Sequence, residues 1–284
     1  MGRTRLGALA VALCLAGAAH AQPSEEGWRL KTDLALRAIP VGINAIIDAG
    51  YRVPLSSSEN LLLRKTYVDA GLTTGLSPAY LWAGAYVEAL PVAVLQLRLS
   101  AQTMQFFGAF GHLLQPTEPG DDGWSLDVIR DQAISDGKVK GGLMLEGRVT
   151  PRIKVGNFVA FAEVRFLRFE IDDLEGDWYE PYYDILVAPK DNVLVARPTA
   201  GYLLLAEDPK RTYLLVGARF ERTLTQETEI TRDLLAALAL WKIPSDWWSA
   251  GDPKLAVLAG AWTQHPNRTE PYIAAQLTLE YGAQ

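Results

Sequence analysis

Cysteine is nearly missing from this chain. Cys14 is the single example in 284 residues, and histidine appears three times, at His20, His112 and His265. One thiol cannot build a disulfide scaffold, and the histidine count leaves too few soft ligands for a structural zinc site. There is no His-Glu-x-x-His, no Walker loop and no Gly-x-Gly-x-x-Gly. Excess positive charge is also missing. The formal net charge is −6 and the isoelectric point about 5.2, which argues against nucleic acid as a partner. Beyond residue 21 no run of 18 apolar residues occurs, so no transmembrane helix is expected. Low polarity, with 49% hydrophobic and 21% charged residues, excludes a disordered chain.

The first 21 residues read as an address. Arg3 and Arg5 give a basic start, Leu6 to Ala19 an apolar stretch, and Ala19-His20-Ala21 a small-x-small site. The expected organisation is a cleaved signal peptide over 1–21 and one domain over 22–284. Cleavage removes Cys14 and His20. It also removes Arg3 and Arg5 but no acid, so the formal charge falls from −6 to −8.

What the remaining chain has in abundance is two-residue alternation. In Val92 to Met104, Ala93, Leu95, Leu97, Leu99 and Ala101 oppose Gln96, Arg98, Ser100 and Gln102. Side chains alternate faces along a strand, so one face is apolar and the other polar. The pattern recurs in 29–38, 43–53, 139–149 and 272–281. Twelve strands are expected, near 28–39, 43–54, 61–75, 80–90, 92–107, 138–150, 155–170, 192–205, 212–225, 230–242, 254–264 and 271–281. The segment at 230–242 reads equally well as a short helix. Most are longer than the usual globular strand, and they suit a tilted membrane strand, which needs about 9–11 residues in hydrocarbon. Short proline turns are expected at Leu90-Pro91, Thr150-Pro151-Arg152 and Glu207 to Lys210, with long polar connections at 108–137 and 171–191.

The polar faces carry both signs. Arg29, Lys31, Arg37, Arg52, Lys65, Arg98, Lys140, Arg148, Arg165 and Arg219 accompany Asp33, Asp48, Asp69, Glu88, Glu146, Glu163, Glu221 and Glu280. An Arg or Lys facing mid-depth lipid costs roughly 2–4 kcal/mol. These residues are therefore expected to line a lumen, whereas Arg64 and Arg222 belong near an interface. Trp28, Trp82, Tyr86, Phe106, Phe107, Trp241, Trp262 and Tyr281 are candidates for interfacial aromatic girdles. Gly50, Gly71, Gly84, Gly142 and Gly201 fall inside strands, where they mark bends or close side-chain approach.

With these features the chain resembles a bacterial outer-membrane β-barrel protein. The resemblance is one of pattern and covers nearly everything after residue 21. It implies an all-β, closed antiparallel transmembrane barrel of about twelve strands in the cell outer membrane. It also implies outer-membrane lipid and the barrel-assembly machinery as partners.

Candidate chemistry is sparse. Barrel lipid hydrolases place a His and a Ser two residues apart on a strand, whereas Leu113-Leu114 follow His112 and Pro266-Asn267 follow His265. Glu146 and Glu163 sit two residues from Arg148 and Arg165, which favour their ionised forms and make them poor general acids. No catalytic residue, metal site or cofactor is expected. Asp172, Asp173, Glu175 and Asp177 read as a solvated acidic loop, with calcium as the alternative. Trp178 to Tyr183 and Trp247-Trp248 read as loop packing, with sugar stacking as the alternative. The leading function is a pore, small-solute transporter or structural envelope protein. A barrel enzyme acting on lipid or saccharide comes next, then a soluble exported β-barrel that binds a ligand. The mixed charges predict a narrow or plugged lumen.

Overall fold

The computed structural model describes residues 26–38, 41–56, 58, 60, 62–63, 65–106, 141–171, 176–205, 212–244, 251–266 and 269–282. Several expectations fall outside these residues: the leader over 1–21, Arg64, Phe107, His112, Lys140, the acidic residues 172–175, Glu207 to Lys210 and Trp247-Trp248.

The strands are β1 (Gly27–Arg37), β2 (Gly42–Pro54), β3 (Tyr67–Leu76), β4 (Tyr80–Val92), β5 (Leu95–Phe106), β6 (Gly141–Val155) and β7 (Phe158–Ile171). A two-stranded hairpin follows, β8 (Trp178–Glu180) and β9 (Ile185–Val187). Then come β10 (Lys190–Leu205), β11 (Tyr213–Thr225), β12 (Thr231–Lys242), β13 (Lys254–Gln264) and β14 (Pro271–Gly282). All but the hairpin form one closed barrel in which β1 pairs antiparallel with both β2 and β14. Closure removes the free edge that lipid cannot satisfy. The segment at 230–242 is a strand, because β11 and β13 hydrogen-bond it on both sides.

Burial is inverted relative to a soluble protein. On β5, Leu99 is 68% exposed while its neighbour Arg98 is 5% exposed. Leu72 on β3 is 69% exposed while Asp69 is fully buried. From Leu97 to Gln102 on β5 the apolar residues look out and the polar ones look in, whereas beyond them Met104 and Phe106 look in and Gln105 looks out.

Two turn expectations are corrected. The β4–β5 turn is Ala93-Val94, and Pro91 sits in the register shift between Ala89 and Val92, where no regular ladder bond is lost. The β6–β7 turn is Gly156-Asn157. Pro151 lies within β6 where its pairing to β5 ends, so its missing N–H costs little.

The girdle expectation is corrected as well. Trp82, Tyr86 and Phe106 are buried on the inward face. Trp28 is 74% exposed and meets Tyr51 edge-on at 5.6 Å. Gly50 gives Tyr86 its room, because a Cβ there would collide with the Tyr86 hydroxyl and with Asp69.

Candidate functional site

Inward-facing charges stack from the rim that holds Gly27 and Gly282 to the rim that holds the hairpin. Near the first rim, Arg29 contacts Asp69 at 3.2 Å, Glu88 at 3.7 Å and Glu280 at 3.1 Å. Arg52 lies over the Tyr67 ring at 3.7 Å and 3.4 Å from Asp69. Tyr67 donates to Glu88 and Tyr86 to Asp69, each at 2.8 Å. Lys254 pairs with Glu280 at 2.7 Å.

At mid-height Arg98 reaches from β5 to β2 and grips both Asp48 oxygens at 2.8 Å. Lys31 pairs with Asp33 at 2.7 Å. On the opposite wall Arg148 donates to Glu146 at 2.8 Å and Arg165 to Glu163 at 2.7 Å. Arg197 bridges Glu221 at 2.5 Å and Glu163 at 3.3 Å. Arg219 donates Nε–H to Thr199 at 3.2 Å. Pairing thus runs along single strands, between neighbours and across the interior, as antiparallel closure brings distant strands face to face.

Of the remaining expected lumen residues, Arg37 is spent on the hairpin, as described below. Lys65 is a correction: it is exposed in the turn before β3 rather than on a strand, because β3 begins only at Tyr67. Arg222 faces outward near the hairpin rim, where it pairs with Asp233 at 2.6 Å.

Toward the hairpin rim the inward face changes character. Trp82, Met104, Phe106, Met144, Leu167, Phe169, Val193 and Val195 are all buried there. They receive the β8–β9 hairpin, whose Trp178, Ile185 and Val187 are fully buried. Trp178 packs on Phe106 at 5.0 Å and on Phe169 at 5.8 Å between ring centroids. The hairpin is thus a stopper made of apolar surface, and its Trp178, Tyr179 and Tyr183 are buried and not available to stack on sugars.

Polar contacts fix the stopper's orientation. Arg37 donates to the Pro181 carbonyl at 2.8 Å. Arg232 donates to the Tyr183 carbonyl and to Glu221. Asp184 takes a left-handed φ of 54°, which asparagine-like side chains tolerate in turns. There it accepts the Tyr179 hydroxyl at 2.7 Å and lies 3.4 Å from His265 Nε2. Thr228, in the β11–β12 turn, donates to the Leu186 carbonyl at 3.0 Å. Glu180, at the hairpin tip, accepts the backbone N–H groups of Tyr182 at 3.2 Å and Tyr183 at 2.5 Å. Burial pushes its carboxyl up to about 7, against the pull of those bonds and of Arg37 and Arg232.

Beneath the tip lies a cavity of about 240 Å³. Its lining includes Glu180, Tyr183, Arg98, Arg148, Arg165, Arg197 and Arg219. Among the described residues no group of three potential ligands is placed to hold a metal. Sequence reasoning missed Arg197, Arg232, Glu180 and the hairpin. Arg197 shares its inward parity with Val193 and Val195 as well as with Asp191 and Thr199, so that face of β10 reads as a mixture and not as a polar face.

No protein-family profile matches the chain, and no curated protein matches it in sequence. Solved structures do match in shape. The β domain of the Bordetella autotransporter BrkA aligns with a TM-score of 0.43 and 13% identity, over 91% of this chain and 99% of that one. LpxR from Salmonella typhimurium aligns at 0.39 and 12%, over 88% and 99%. The translocator domain of the autotransporter NalP from Neisseria meningitidis aligns at 0.41 and 11%, over 98% and 96%. Closure and inverted burial carry the conclusion on their own terms: the chain is a twelve-stranded β-barrel of the bacterial outer membrane.

Proposed function

We propose that this barrel is a gated small-solute transporter, closed at rest. One observation carries the reading: an apolar hairpin seated in the mouth above a small polar chamber. The walls below the chamber are knitted by ion pairs of both signs, which fill space and build no single-sign field. A structural barrel needs no chamber, and an open pore would not seat fully buried aromatics in its mouth. The hairpin is held by apolar packing, a few carbonyl contacts and side-chain pairs rather than by ladder bonds to the barrel, so it can leave without opening the wall.

Planar-bilayer recording tests this. The native protein is expected to show small or no conductance. Replacing 178–187 with a Gly-Ser segment is expected to raise it severalfold with weak ion selectivity. A large, stable, strongly anion-selective conductance of the native protein overturns the proposal.

The Asp184–His265 pair favours a second reading, a barrel enzyme acting on lipid or saccharide. Assays against phospholipid, lipopolysaccharide and acyl esters decide it. Turnover that vanishes in His265→Ala promotes this reading over the transporter.

A further inference from the structure

The charge network leaves one cation over. Lys31, Arg98, Arg148, Arg165 and Arg197 line the chamber, and each holds a carboxylate within 4.0 Å. Arg219 lines it too, yet among the described residues its side chain bonds Thr199 alone, through Nε. The nearest candidate acids are already shared. Glu221, two residues along the same face, serves Arg197 and Arg232. Glu163 serves Arg148, Arg165 and Arg197. A guanidinium brought into a barrel interior without a counter-charge is costly, so its two terminal nitrogens call for an anion.

We infer that the chamber is a binding site for a small monocarboxylate held end-on by Arg219. The inference rests on the transporter reading and names its solute class. Three features select the class. The terminal nitrogens of a guanidinium match the two oxygens of a planar carboxylate. Of the six cationic side chains in the lining, five already hold a carboxylate, Arg197 through Glu221, and Arg219 is left over, an excess of one that suits a monoanion. A phosphate dianion would bring a second charge toward Glu146 and Glu163. The volume sets the size. At about 240 Å³ the chamber is smaller than ordinary ligand pockets, which begin near roughly 300 Å³. It has room for an acid of acetate or lactate size with a few waters of about 30 Å³ each. The hairpin above keeps bulk water off the charged hydrogen bonds.

Titration of the purified barrel, in lipid nanodiscs, into ¹³C-acetate tests the site by line broadening. Saturable broadening is expected. Arg219→Gln is expected to weaken it about tenfold or more, and Arg219→Lys to recover part of the loss. The glutamine variant loses an unpaired cation, so it is expected to fold with native β-sheet circular dichroism. Competition on the native protein gives a readout independent of any variant: propionate is expected to displace acetate more effectively than inorganic phosphate. Equal broadening in the native and Arg219→Gln barrels, or stronger displacement by phosphate, overturns the inference. The assay reads equilibrium binding and not passage. A barrel that binds acetate but never conducts removes the transporter reading alone, and conduction without saturable binding removes the site alone.

Discussion

Arg98 and Asp48 lie fifty residues apart in sequence and share two hydrogen bonds of 2.8 Å across the barrel interior. β3 and β4 stand between their strands in the wall. Neither side chain exposes more than 7% of its surface, and the Arg98 guanidinium also stacks over the Tyr86 ring at 4.0 Å. Removing one partner strands a buried charge. Asp48→Asn or Arg98→Met is expected to cost about 3–5 kcal/mol in urea unfolding from detergent, and the double variant to recover much of it. Additive losses would show that the pair is not coupled.

Gly50 makes the neighbouring contact possible. A methyl group there meets the Tyr86 hydroxyl, Asp69 Oδ1 and the Ala70 carbonyl. Gly50→Ala is expected to destabilise the barrel by about 1–3 kcal/mol. Adding Tyr86→Phe removes one of the colliding atoms and is expected to return part of the loss. A neutral Gly50→Ala would mean that β2 and β3 shift freely at this point.

The seating of the hairpin is expected to depend on pH through Glu180. Its carboxyl, buried at the tip, titrates at about 7 when seated, above the 4.5 of an exposed glutamate. The seated form therefore holds the proton more tightly than the released form. Seating is strongest below about pH 4.5, weakens as pH rises, and has lost this contribution above about pH 7. The difference is about 3 kcal/mol. A cysteine at Ile185 reports release by its labelling rate. That rate, normalised to the same cysteine in a Glu180→Gln background, is expected to climb between pH 5 and 8. A flat ratio would remove Glu180 as the sensor.

The outward face is expected to be inaccessible to water. Cysteines at Leu97 and Leu277 are expected to stay unlabelled by a membrane-impermeant thiol reagent in intact membranes. Rapid labelling of both would contradict burial of this surface in lipid.

Much of the wall was legible in the residues themselves. A two-residue period is imposed by strand geometry, so Leu97, Leu99 and Ala101 had to share a face that Arg98, Ser100 and Gln102 could not. The cost of charge in hydrocarbon then decided which face looks inward. Strand ends were less legible, because Pro91 and Pro151 look like turn residues until a bulge and a strand's unpaired end make room for them. The partners of each charge were not legible at all. Arg98 meets Asp48, and Arg219 forms no ion pair among the described residues, only because closure and register place particular strands opposite one another. The hairpin was hidden for a related reason. Val193, Val195, Leu167 and Phe169 point inward, yet a local pattern cannot tell an apolar seat inside a barrel from an apolar face toward lipid. Sequence alone determined the period and the side on which charge belongs, since each follows from local geometry and solvation, whereas the count of wall strands waited on the pairing that makes 230–242 a strand. Tertiary structure alone decided the pairing, the stopper and the leftover arginine, since each depends on which distant segments closure brings within reach.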